Sequence, residues 1–219
     1  MKNTTVYLIR HSTRFNMDLI DTFRTNQNDV LKNEKIILSV EGEKRAEILA
    51  NEEELQNIDV VYTSYSVRTL QTAKYLLDKQ GLRVNIDDRL DERRLGERND
   101  DVVKNWFELQ YLDENYKTVG GESQRDVRNR MEEAFFEIVE KHKGKRIAIF
   151  SHGYAITFFL LKWAEMDTIN VRDTFKYTFK GKVFFDKRIE MPEVFKIVLD
   201  ENNEPISIEN IEFDDLKGV

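Results

Sequence analysis

Two of the three histidines in this 219-residue chain stand where an apolar run stops. His11 follows TTVYLIR, with Arg10 before it and Arg14 three residues on; His152 follows RIAIFS and precedes Gly153. A neutral imidazole is a competent nucleophile or proton carrier near neutral pH. An arginine fork matches the oxygens of a phosphate. Arg68, in SYSVRTLQTA, falls early in an expected helix, where free N–H groups also attract anions. Taken singly, Arg68 reads as a solvated or ion-paired side chain, and each strand-end histidine as a surface or capping residue. The matched pair of histidines beside arginines points instead to attack on an anionic centre. His142, in EKHKGKR, belongs to a helix end where the dipole favours a cation, and reads as structural.

Two histidines and a carboxylate are enough ligands for a metal in principle. Arginines beside His11 oppose a divalent cation, whereas they suit a phosphate. The chain has no cysteine, so thiolate nucleophiles and cysteine metal sites are excluded. HExxH, GxxxxGK and GxGxxG are absent. No metal and no cofactor is expected. The net charge is −7, without the basic footprint of a general nucleic-acid binder, so no nucleic-acid partner is expected. No window approaches the length of an apolar membrane span and no apolar leader opens the chain. A cytoplasmic protein without a membrane partner is the expectation.

These residues need a scaffold that aims them. Thr4–Ile9, Asp59–Thr63, Arg83–Ile86 and Arg146–Phe150 read as strands. Helices are expected over Glu41–Leu55, Ser66–Lys79, Val102–Asn115, Ser123–Lys143 and Tyr154–Glu165, with residues 17–37 left as loop or irregular helix. Ser64 or Ser66 would cap the second helix and Gly81 stop it; Ser123 and Asp126 have capping-box spacing, with Gly144 as the C′ residue. Phe195–Leu199 and Ile206–Ile211 flank the turn signal ENNEP. Alternation of strands and helices argues for one domain over residues 1–219, a three-layer α/β/α sandwich with a largely parallel sheet. Ligands bind such sheets outside the carboxyl ends of the strands, where His11 and His152 both fall.

The ordered motifs resemble the histidine phosphatase superfamily, the phosphoglycerate-mutase-like enzymes. They run Arg10-His11-Ser12, LSVEGEKRA from Leu38 to Ala46, Ser64 to Ala73 with Arg68, Leu90-Asp91-Glu92 through Gly96, Gly120 to Ser123, and Ser151-His152-Gly153. The resemblance implies the phosphoglycerate-mutase-like fold, with His11 as the nucleophile that accepts a phosphoryl group. Arg10, Arg68 and His152 would hold the phosphate oxygens. Glu92 would protonate the leaving oxygen and then activate water, with adjacent Asp91 as the competing proton donor. Arg14 and Asn16 are further phosphate-ligand candidates.

The chain departs from the family pattern at Ser12, which replaces a glycine. If that position needs positive φ, serine costs about 1 kcal/mol; it could also shift the His11 backbone, or its hydroxyl could add a donor. The interval around 97–119, a lid-like helical insertion, is short and acidic, with Lys104 and Lys117 as the cations of NDDVVKNWFELQYLDENYKTV. Trp106, Phe107, Tyr111 and Tyr116 either line a lid or pack a helix. Weak provision for a second anionic group favours hydrolysis of a phosphomonoester through a metal-independent phosphohistidine route. The alternatives are a phosphoglycerate-type mutase and a non-catalytic phosphate-binding regulatory scaffold. The expected partner is a phosphorylated small molecule, with a phosphoprotein left open; the oligomeric state is not legible.

Overall fold

In the computed structural model, which describes residues 2–16, 33–96, 106–170 and 174–216, the central strand is the one that ends at His11. This strand, β1 (Thr4–Arg10), buries Val6 and Leu8 on one face and Tyr7 and Ile9 on the other. A strand apolar on both faces must be covered on both. Its parallel neighbour β4 (Arg146–Ser151) behaves the same way, sending Ile147 and Ile149 to one side and Ala148 and Phe150 to the other. With β2 (Val60–Thr63), β3 (Val84–Ile86), β8 (Val194–Leu199) and β9 (Pro205–Ile211), they form a six-stranded sheet of order β3-β2-β4-β1-β8-β9. The β3-β2-β4-β1 part is parallel, and β8 and β9 close the other edge antiparallel.

Helices α1 (Val40–Asn51) and α2 (Val67–Gln80) cover the Tyr7 and Ile9 face with Leu49, Ala50, Ala73 and Leu76. The opposite face carries α4 (Gln124–Lys141) and α5 (Gly153–Leu160), with α3 (Trp106–Leu112) joining through Tyr111. The sandwich therefore has the three layers the sequence implies. Helix α4 starts at the expected capping box: the Ser123 hydroxyl accepts from Asp126 N–H, and the Asp126 carboxylate accepts from Ser123 N–H. No helix among the described residues is long and apolar enough to cross a membrane.

Several boundaries differ from the sequence reading. The helix expected over Glu41–Leu55 breaks at Glu52, whose ψ of 136° ends α1 before a 3₁₀ turn over Glu53–Leu55. Gly144 stands two positions past the C-cap His142 rather than one, still at φ 72°. The helix expected over Tyr154–Glu165 stops at Leu160, and the chain then forms a second sheet of order β5-β6-β7, from β5 (Glu165–Asn170), β6 (Thr174–Phe179) and β7 (Lys182–Arg188). Phe175, Tyr177 and Phe185 pack from this sheet onto the α4–α5 side of the core. The β6–β7 hairpin turns at Lys180 and Gly181, both at positive φ, as tight hairpins require. Of the expected helix Val102–Asn115, residues 102–105 lie outside the described residues, as do Lys104 and most of 17–37.

Phe135 anchors the α4 layer. It is fully buried, with ring centroids 4.8 Å from Phe159 and 5.7 Å from Trp163. Phe135→Ala should lower unfolding free energy by about 3–5 kcal/mol in urea titration; a loss under about 1 kcal/mol would show that this layer does not hold the sandwich together.

Candidate active site

Parallel pairing brings the two histidines together. Arg10 on β1 is the register partner of Ser151 on β4, so the residues that follow each strand leave the sheet side by side. His11 N–H extends the ladder by donating to the Ser151 carbonyl at 3.0 Å, and the two imidazole rings lie edge to face with centroids 5.3 Å apart. On the far side of β4, Thr63 of β2 pairs with Phe150. The chain then turns through Ser64 into α2, whose second residue is Arg68. The motif Leu90-Asp91-Glu92 reaches the same edge because the Ser151 hydroxyl donates to the Leu90 carbonyl at 2.6 Å.

His11 is 4 % exposed, and its Nδ1 is 2.8 Å from the Ser12 carbonyl oxygen. A carbonyl only accepts, so Nδ1 carries the proton and Nε2 keeps its lone pair. Burial, then the charges of Arg68 and Arg10, push the His11 pKa well below 6.5 despite the opposing bond to Ser12. The ring is neutral, in the tautomer a nucleophile needs. His152 is fully buried and has the opposite tautomer. Arg68 Nη2 donates to its Nδ1 at 2.9 Å, so its proton is on Nε2, which faces Ser64 Oγ at 2.8 Å and Asp91 Oδ1 at 3.0 Å. Burial and Arg68 depress its pKa, against the pull of Asp91 and Glu92.

The arginines are fixed by backbone carbonyls. Arg10 Nη1 donates to the Ile189 carbonyl at 2.7 Å, and its guanidinium lies against Gly153, where an added Cβ would fall 3.2 Å from Nε. Arg68 is 2 % exposed and also donates to the Asn33 carbonyl. Arg14 is exposed, near enough for its charge to act on Arg68. Asn16 is exposed at the end of a described segment, and Met17 lies outside the described residues.

Of the two candidate proton donors, Glu92 and Asp91, the structure separates the surroundings. The Glu92 carboxylate meets the first turn of α5: Oε1 accepts from Ala155 N–H at 3.1 Å, and Oε2 from Tyr154 N–H at 3.4 Å. Asp91 is 9 % exposed and accepts from Ser66 Oγ at 2.6 Å as well as from His152. Burial raises its pKa, but the bonds from His152, Ser66 and the Glu92 N–H outweigh burial and hold the carboxyl well below the usual range. An acid so held is a poor proton donor. Ser66 occupies the N-cap position of α2 as expected, yet its hydroxyl serves Asp91 instead of capping the helix.

Other sequence expectations resolve locally. Ser12 is not among the residues at positive φ, so it imposes no backbone strain; its buried hydroxyl has no hydrogen-bond partner among the described residues. His142 is structural as expected, but as a ring contacting Tyr62 Oη at 3.1 Å rather than as a helix-end cation: burial and Lys141 and Lys145 lower its pKa. Tyr111 packs on Phe158 and Phe175, and Lys117 pairs with Asp126. The side chains of Trp106 and Phe107 lie outside the described residues. Gly42 of LSVEGEKRA has a steric role: a Cβ there would fall 1.9 Å from the Thr13 carbonyl oxygen, two residues past His11.

Residues 6–177 match the model of the histidine phosphatase superfamily (branch 1). The chain belongs to the histidine phosphatase superfamily. It is 30% identical over 123 residues to phosphoserine phosphatase 1 of Hydrogenobacter thermophilus, covering 52% of this chain and 58% of that one. It is 30% identical over 127 residues to the probable phosphoglycerate mutase GpmB of Yersinia enterocolitica, covering 54% and 59%. Both matches span under two thirds of those relatives' length. Among solved structures, Bacillus stearothermophilus YhfR superposes with TM-score 0.67 at 22% identity, covering 92% of this chain and 94% of that one. A mycobacterial glucosyl-3-phosphoglycerate phosphatase in complex with VO3 superposes with TM-score 0.66 at 18% identity, covering 95% and 98%. These likenesses of fold run over nearly the whole chain.

Gly153→Ala separates fold from site. Alanine suits a helix better than glycine, so stability should hold or rise, while phosphate affinity measured by calorimetry should fall roughly tenfold as Arg10 is displaced. Unchanged affinity would mean that Arg10 does not need its present seat. A second expectation follows from the two neutral imidazoles. Below the free-histidine pKa of about 6.5 the unfolded chain binds protons that His11 and His152 refuse when folded. Stability should therefore rise with pH up to about 6.5, by at most about 1.4 kcal/mol per pH unit for each, and then flatten. Urea unfolding at pH 5.5 and 7 checks this, and His11→Gln should reduce the slope.

Proposed function

We propose that this chain is a phosphatase, a hydrolase of phosphomonoesters that works through a phosphohistidine at His11 without a metal. The observation that carries the reading is the tautomer of His11, with Nδ1–H on the Ser12 carbonyl and Nε2 unprotonated among Arg10, Arg68 and His152. Nε2 attacks phosphorus, the bond to the ester oxygen breaks, and Glu92 gives that oxygen its proton. Arg10, Arg68 and His152 hold the three non-bridging oxygens as charge shifts onto them, with Arg14 and Asn16 at the margin. Water then attacks the phosphohistidine while Glu92 takes its proton, returning neutral His11 and inorganic phosphate.

Hydrolysis is preferred over mutase transfer because two exposed cations near the acid loop, Lys117 and Arg94, have carboxylate partners. Lys117 pairs with Asp126 at 2.8 Å, and Arg94 with Glu122 at 3.4 Å. A phosphorylated small molecule fits the reading, as the names of the phosphatase relatives suggest for those proteins. A non-catalytic scaffold is disfavoured by the complete set of nucleophile, cations and acid.

The test is phosphate release from an aryl phosphate in EDTA. Wild type should turn over, and His11→Ala should lose essentially all activity. Glu92→Gln should slow turnover by about 10²–10⁴-fold with phosphate affinity retained. Activity that survives His11→Ala, or that EDTA abolishes, would falsify the phosphohistidine route.

A further inference from the structure

A buried carboxylate beside a neutral ring calls for an explanation. Asp91 Oδ1 takes hydrogen bonds from both His152 Nε2 and Ser66, and Ser66 gives up the cap of α2 to make its bond. Were His152 always neutral, a polar uncharged acceptor would serve its Nε2–H as well, without burying a charge. The arrangement suits a ring that becomes cationic.

We propose that Asp91 is a positioning residue that lets His152 accept a second proton, at Nδ1, when a phosphate enters the site. The proposal rests on the phosphate seat described above. In the free protein, Nδ1 is an acceptor for Arg68 Nη2. A phosphomonoester monoanion draws the Arg68 fork toward its own oxygens and exposes Nδ1 to its P–O–H group. The O–H bond breaks and an Nδ1–H bond forms, giving a phosphate dianion and an imidazolium, with net charge unchanged. His152 is then a charged donor to the phosphate, braced from behind by the Asp91 carboxylate. The charged and titratable groups facing it are Arg68 from α2, Asp91 and Glu92 from the loop after β3, and His11 from the end of β1. Burial and Arg68 keep the second proton off in the empty site; the incoming anion reverses that field.

Nuclear magnetic resonance of ¹⁵N-histidine-labelled protein tests this with inorganic phosphate as the probe, His142→Gln serving to assign the signals. Free wild type should show His152 protonated only at Nε2, and the phosphate complex should show both nitrogens protonated. Asp91→Asn keeps size and an acceptor oxygen but removes the charge. It should leave His152 neutral in the complex, weaken phosphate binding by about tenfold or more near pH 6.5, and lower kcat/KM on the acid side of the pH profile. Wild type that binds phosphate with His152 neutral overturns this proposal and leaves the phosphatase reading intact. So does Asp91→Asn with wild-type affinity and a doubly protonated ring. Wild type that binds no phosphate overturns the seat and this proposal together. If Asp91→Asn does not fold, the wild-type spectra alone still decide.

Discussion

The in-register parallel pairing of β1 with β4 is the constraint on which the rest of this structure depends. Because Arg10 stands opposite Ser151, two residues 141 positions apart in sequence leave the sheet as neighbours. A slip of one residue would turn His11 or His152 toward the wrong face and exchange the side chains packed into the two core layers. Burial of Val6, Tyr7, Leu8 and Ile9 therefore stabilises the sheet and sets the aim of the imidazoles. Fold and site share one determinant: β1, which leads to His11, and β4, which leads to His152, are both buried over most of their length.

That register also solves an electrostatic problem. Two guanidinium groups brought close to two buried imidazoles would repel protonated rings, and the rings respond by staying neutral. Their tautomers differ because their partners differ: a carbonyl for His11, and an arginine on one side and a carboxylate on the other for His152. The arginines are held by main-chain carbonyls, which accept their hydrogen bonds without neutralising them.

Much of this was legible in the primary structure. Arg10-His11 and Ser151-His152-Gly153 each end an apolar run, and the rule that ligands bind at carboxyl ends of parallel strands needed nothing further. Arg68 was legible through its place early in α2. The position of Asp91 was visible but its work was not: its partner His152 is 61 residues away, and which nitrogen it meets depends on Arg68 occupying the other. The β5-β6-β7 sheet escaped because WAEMDTINVRD follows an apolar helix without a break signal, and its hairpin turns on Lys180-Gly181 rather than on an Asn-Gly pair. The alternation of Phe175, Tyr177 and Phe179 was the signal that could have found it. The helix ends at Glu52 and Leu160 fall where the sequence carries no glycine or proline to mark a stop.

The seat of Arg10 bears on where this protein can be cut. Every recognised motif, and the whole family match, lies before residue 178. The Nη1 of Arg10 nevertheless rests on the carbonyl of Ile189, in the link between β7 and β8, and its own backbone N–H donates to Glu193. β8 is also the strand that pairs with β1 on the side away from β4. The working unit is consequently longer than the recognisable one. A fragment trimmed to the matched region would retain every motif residue and lose the main-chain support of its first arginine, so that modular borders drawn from motif content would divide the candidate site itself.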